Sequence, residues 1–190
     1  MMDRNKAISD LRASVTILIA NIDLYHSGTK DVYRVVACEL RKLVCDGKNS
    51  LLLKLFGDIK LHRIVDPYGN SVEIDKKILD ATVFILPGRM EFKRGQTTRV
   101  VNIFDYKKPP IPLSQWVNQP LFKSNLSIKD YIKSIADKEA AHSDSQYNET
   151  LKLTKSVKFV NTDANMSYII CIGEYILRVI NKIINTTKRS

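Results

Sequence analysis

Apolar residues recur at spacings of three and four from Ile8 to Tyr25, at Ile8, Leu11, Val15, Leu18, Ile19, Ile22 and Tyr25. That spacing lays a single apolar stripe along a helix. Ser27-Gly28-Thr29 then reads as a stop, with Gly28 closing the first helix and Thr29 able to cap the next. The period resumes at Val32, Tyr33, Val36, Leu40, Leu43 and Val44 and ends at Asp46-Gly47. Two amphipathic helices joined by so short a turn predict an antiparallel αα-hairpin. Leu51 to Phe56 predicts a short third helix.

The period is lost in the middle of the chain. Lys60 to Val65 and Ala81 to Leu86 are short runs bounded by the turn signals Asp66-Pro67-Tyr68-Gly69-Asn70 and Pro87-Gly88. Glu91 to Lys93 and Thr97 to Phe104 read as further strands, with Arg94-Gly95-Gln96 at a hairpin tip. Residues 60–105 are therefore expected to form a small antiparallel β insertion. Pro109, Pro110 and Pro112 oppose both helix and central strand, so 107–112 is expected as an extended connector, within a Pro-containing link over 107–125. Trp116 is expected to plug that link onto the core.

Helix returns at Ser127. Ser127-Ile128-Lys129-Asp130 has the shape of a capping box, and Leu126 and Tyr131 are placed for a hydrophobic staple. Ile128, Tyr131, Ile132 and Ile135 mark the buried face of a helix running to about Ala141. Glu149 to Val160 suggests a shorter helix. Met166 to Ile184, apolar around much of its circumference, predicts the most buried helix, with Ile169, Ile172, Ile176, Val179, Ile180 and Ile183 among its apolar positions. The fold class expected is mainly α: a helical bundle with a small antiparallel β insertion, in a single domain over 1–190.

Composition fits this reading. The chain has 190 residues, 44% of them hydrophobic and 26% charged, which suits a packed domain and not a disordered one. Its three cysteines are too few for a disulfide framework, and Cys38 and Cys45 read as small buried hydrophobes. No run approaches a spanning helix or a signal anchor, so a cytoplasmic protein without a membrane partner is expected. No glycine-rich phosphate loop or other cofactor motif is present. The formal charge is +10, and it is unevenly spread. Net charge is +3 over 1–60, +3 over 61–110, −1 over 111–150 and +5 over 151–190. A basic balance admits nucleic acid, acidic partners or membrane headgroups without choosing among them.

The acidic stretch holds the densest chemistry. Asp137, Glu139, His142 and Asp144 fall within the segment Ala136-Asp137-Lys138-Glu139-Ala140-Ala141-His142-Ser143-Asp144. On a helix Lys138 and His142 are neighbours four apart, and a histidine at a helix C-terminus is favoured in its protonated form. Such a histidine can serve as general acid or base. Three readings stand side by side: a cap network at a helix end, a proton-transfer site, and a metal site using His142 with Asp144 and Glu139 or Asp137. The last lacks a second histidine or a nearby thiolate.

Ala136-Asp137-Lys138 followed by Ala141-His142-Ser143-Asp144 resembles the Arg-Asn/Asp-Lys-x-x-Ala-His-Ser motif of HEPN-type helical domains, found in prokaryotic defence and toxin systems. The resemblance implies a helical bundle, a homodimer, and metal-independent cleavage of RNA by a histidine and an arginine. Here it implies His142 as the proton-transfer residue, with Asp137 and Lys138 matching the motif and Asp144 orienting the histidine. The arginine position carries Ala136, so Lys138 is the substitute cation, a point charge in place of a bidentate fork. The alternative is a non-catalytic helical protein-interaction module in which His142-Ser143-Asp144 is purely structural.

Two basic clusters complete the candidates. Arg89, Lys93, Arg94 and Arg99 crowd the expected hairpin near Phe92 and Phe104, a pairing of cations and rings that suits a nucleic-acid backbone and bases. Lys152, Lys155 and Lys158, three apart, would follow one side of a helix. Solvated faces are the plainer reading of both.

Overall fold

The structure, a computed structural model, describes residues 3–29, 31–64, 83–86, 89–94, 97–102, 104–120, 127–140 and 162–189. It is mainly helical with small antiparallel β elements, as the pattern predicts.

Helix α1 spans Arg4–His26 and starts on Asp3, whose side chain accepts from the Asn5 N–H at 2.9 Å. It stops where Gly28 takes φ +109, a value that favours glycine. The Gly28 N–H bonds the Tyr25 carbonyl and the Thr29 N–H bonds that of Leu24, which is the paired bonding of a Schellman stop. Thr29 is thus used in closing α1. The cap expected of it on the next helix is not made: α2 (Tyr33–Leu40) begins at Val32 with no side-chain cap. Helix α2 widens into one π turn over Arg41–Cys45, and α3 follows at Leu51–Phe56.

The β structure departs from the expectation in its pairing. Strand β1 (Lys60–Leu61) does not join the central strands; it pairs antiparallel with β5 (Ile111–Pro112), inside the segment expected as a bare connector. A two-residue ladder leaves Pro112 on an edge, where its missing N–H costs little. The Leu113 N–H, one residue on, donates to the Ile59 carbonyl at 2.7 Å. The second sheet is the meander β2 (Val83–Leu86), β3 (Arg89–Arg94), β4 (Thr97–Asn102), in that spatial order. Arg94 pairs with Thr97, and the tip expected at Gly95-Gln96 lies outside the described residues.

Helix α4 is a single turn, Leu113–Trp116. Trp116 is fully buried, and its indole N–H donates to the His62 carbonyl at 2.9 Å, pinning the connector to β1 as expected. Helix α5 spans Ile128–Ala140. The Ser127 hydroxyl oxygen accepts from the Asp130 N–H at 3.1 Å and its O–H donates to the Asp130 carboxylate at 2.8 Å. Asp, one methylene shorter than Glu, bonds the cap hydroxyl here. Leu126 lies outside the described residues, as does the helix suggested over 149–160.

Helix α6 spans Thr162–Arg189. Among the described side chains its buried part runs from Tyr168 to Ile180, and Ile184 beyond it packs half-buried against the core. Helix α2 packs against α1, α5 and α6, and α6 also packs on β2 and β3. Close approach at the junction of α1, α2 and α6 depends on Gly173: a Cβ there would lie 3.0 Å from Val36 Cγ1 and 3.3 Å from Ile22 Cδ1.

Candidate functional site

The predicted motif begins on α5 and runs beyond it. Ile128, Tyr131, Ile132 and Ile135 are buried as expected, and the stripe continues one step to Ala136, which is 1% exposed. The Ala136 carbonyl accepts a long bond from Cys38 Sγ on α2 at 3.8 Å. The position matching the family's arginine therefore lies on the core face of α5. The backbone of Asp137, Lys138 and Glu139 forms the last turn of that helix. His142 and Asp144 lie outside the described residues, as do Lys152, Lys155 and Lys158. Among the described residues no group of three His, Cys, Asp or Glu could hold a metal ion. The metal reading of the motif falls outside that set.

The hairpin cations are divided by strand register. Phe92 stands opposite Arg99 and Arg94 opposite Thr97, so Phe92, Arg94 and Arg99 share one face of the sheet. Arg89 and Lys93 alternate onto the other face with Glu91. The four cations expected to form one cluster thus form two pairs, and only one has an aromatic position between strands without an intervening carboxylate.

Sequence reasoning missed a histidine–carboxylate pair. His26, in the last turn of α1, approaches Glu174 of α6, with Nε2 2.5 Å from Oε1. Burial raises the Glu174 carboxyl above its ordinary value; the hydrogen bond and charge of His26 and the charge of Arg178 act the other way. The Glu174 side chain is 10% exposed, and its Oε2 is buried without a hydrogen-bond partner among the described residues. The pair borders an open cleft of about 490 Å³ also lined by Ile22, Asp23, Leu177, Arg178 and Asn181. Such a pair ties the end of α1 to α6 across the cleft. Its only sequence trace is Glu174 interrupting the apolar run from Tyr168 to Leu177.

A second polar contact joins α1 to α2. Ser14 Oγ donates to Glu39 Oε2 at 2.6 Å, and Lys42 Nζ lies 3.0 Å from Oε1. The Glu39 side chain is buried, so these bonds stand in for water.

The aromatic residues between the β elements and α6 are packed on one another. Phe104 stacks on Tyr175 with centroids 3.9 Å apart, and the Tyr175 hydroxyl accepts from the His62 N–H at 2.8 Å. Burial pushes the Tyr175 hydroxyl up to about 12.

No protein family, curated protein or solved structure matches the chain. No helix among the described residues is long and apolar enough to cross a membrane.

Proposed function

We propose that the chain is a degenerate HEPN-like domain that binds RNA and has lost the ability to cleave it. The observation that carries the binding half is the hairpin register, which sets Arg94 and Arg99 on one face with Phe92. Cations flanking a ring suit a single strand, because phosphates meet the charges while a base stacks on the ring. The net charge of +10 strengthens the approach of a polyanion.

Loss of cleavage is supported by Ala136. The motif's second catalytic group is absent from the sequence, and its position faces the core, where an exposed phosphate has no access. Lys138, two residues on, cannot reproduce a bidentate guanidinium. The order of elements supports the family likeness: a helix hairpin, a helix ending at the motif, then a long apolar helix. The reading carries with it a homodimer of prokaryotic defence or toxin type; the exposure of Ile17 and Leu24, seven apart on α1, is compatible with such a dimer.

The test is fluorescence anisotropy with labelled single-stranded RNA, alongside a metal-free cleavage assay. Wild type should bind, Arg94→Ala/Arg99→Ala should bind at least tenfold more weakly, and RNA should stay intact. Cleavage that His142→Ala abolishes would overturn the loss of activity, and failure of wild type to bind would overturn the whole reading.

A further inference from the structure

The segment between the paired strands is built to project. Ile64 bridges Phe104, and the Asp105 N–H donates to the Arg63 carbonyl at 2.8 Å, so the two strands run together there. The ladder resumes only at Leu61 with Ile111. His62 is then the one residue on the first strand facing Tyr106-Lys107-Lys108-Pro109-Pro110 on the second, and the surplus residues leave the ladder as a bulge.

The bulge is held from within. Asp105 Oδ1 accepts from the Lys107 N–H at 3.0 Å and from the Lys108 N–H at 3.3 Å, and Pro109-Pro110 fix the backbone of the return. Its base is held as firmly. The His62 N–H is bonded to Tyr175 and the His62 carbonyl to Trp116, so the backbone that carries the imidazole is fixed. The Tyr106 ring leans on that imidazole with centroids 4.8 Å apart and remains 49% exposed. Lys107 and Lys108 are exposed beside it, and Lys60 and Arg63 are exposed on the partner strand. The two paired segments, 58–64 and 104–114, carry two carboxylates. Asp105 is committed to the bulge amides, and Asp58 accepts the N–H and O–H of Ser114, which hold its carboxyl below the ordinary value.

We propose that this bulge is a second contact for single-stranded RNA, with an unpaired base stacked on Tyr106 and its flanking phosphates on Lys107 and Lys108. The inference rests on the RNA-binding reading above and adds to it a site and a preference for unpaired strands. A half-exposed ring backed by another ring presents a stiff apolar surface, and only a base freed from its own stack can lie on it. The loop backbone is already ordered by Asp105, so its lysines meet phosphate without a further cost of ordering the chain. In the duplex every base is already stacked, so the ring has nothing to take.

The experiment is anisotropy with labelled oligo(U), oligo(dT) and a blunt RNA duplex. Tyr106→Ala should weaken oligo(U) binding roughly tenfold, Tyr106→Phe should stay within about twofold, and neither should alter duplex binding. Lys107→Ala/Lys108→Ala should flatten the dependence of log K on log salt by about 1.4. Thermal melts establish that each variant folds; the lysine variant lies wholly outside the core and tests the site independently. Wild-type binding that falls with Arg94→Ala/Arg99→Ala but not with Tyr106→Ala overturns the bulge site and leaves the RNA reading standing. A Tyr106 effect confined to oligo(dT) overturns the assignment to RNA. No binding by wild type overturns both.

Discussion

Gly173→Ala sets two known effects against each other at the junction of α1, α2 and α6. In an exposed helix the exchange stabilises by about 1 kcal/mol, because alanine orders the backbone more cheaply than glycine. Here the new methyl would lie 3.0 Å from Val36 Cγ1, 3.3 Å from Ile22 Cδ1 and 3.6 Å from Leu18 Cδ1. The Ile22 and Leu18 contacts are flexible chain ends. Val36 is not: it is β-branched, fully buried and fixed at χ1 within α2. Overpacking of this kind costs about 1–3 kcal/mol, so the net effect should be a loss of about 1 kcal/mol. In a chain of this size that lowers the melting temperature by about 2–4 °C. The decisive comparison is the double-mutant cycle with Val36→Ala. Removing the Val36 methyls leaves room for the alanine, so Gly173→Ala should turn stabilising by up to about 1 kcal/mol in that background. Melting temperature and urea midpoint read both values. A Gly173→Ala variant more stable than wild type, or a cycle with no coupling, would refute the close approach of α6 to α2.

Three other outcomes follow from the buried polar groups. Ser14→Ala strips one of two bonds from the buried Glu39 carboxylate and should cost about 1–3 kcal/mol in urea unfolding; a neutral result would mean Glu39 is solvated. Glu174 has a carboxyl raised by burial, so its contribution is fullest at and below its ordinary value of 4.5 and is lost as pH rises through the raised value. Glu174→Gln should therefore gain on wild type in melting temperature as pH increases, and a difference that is flat or falls with pH would contradict this. Burial pushes the Cys45 thiol up to about 12 and that of Cys171 well above its ordinary value, so both should resist a thiol reagent at neutral pH until the protein unfolds. Rapid labelling of either in the native protein would show that its helix face is open.

Helices were legible where the signal was local. Gly28 closes α1, Ser127 caps α5, and Leu51–Phe56 forms the short helix its apolar run suggests, because each depends on neighbours within a turn. Burial of Ala136 was also within reach, since it follows Ile132 by four along a stripe already recognised. Pairing was less legible. Nothing near Lys60 indicates a partner fifty residues away, and three prolines made Ile111–Pro112 read as unpaired chain, although a two-residue edge ladder tolerates proline. The hairpin cations looked like one cluster because sequence proximity ignores alternation across a strand; register divides them. His26 and Glu174 are 148 residues apart, and their meeting is a product of how α6 crosses the end of α1. The Tyr106 bulge is hidden for the same reason, because its support comes from His62, Trp116 and Tyr175 in separate elements.

On the proposed reading, a non-cleaving helical domain holds single-stranded RNA through the hairpin and the bulge. A salt titration of oligo(U) affinity tests it most directly, because released counterions count the phosphates engaged. With Arg94, Arg99, Lys107 and Lys108 each meeting one phosphate, log K should fall with log salt at a slope of about −2.8, and the fourfold alanine variant should be nearly flat. No measurable affinity, or a slope unchanged by removing those four cations, would contradict the account.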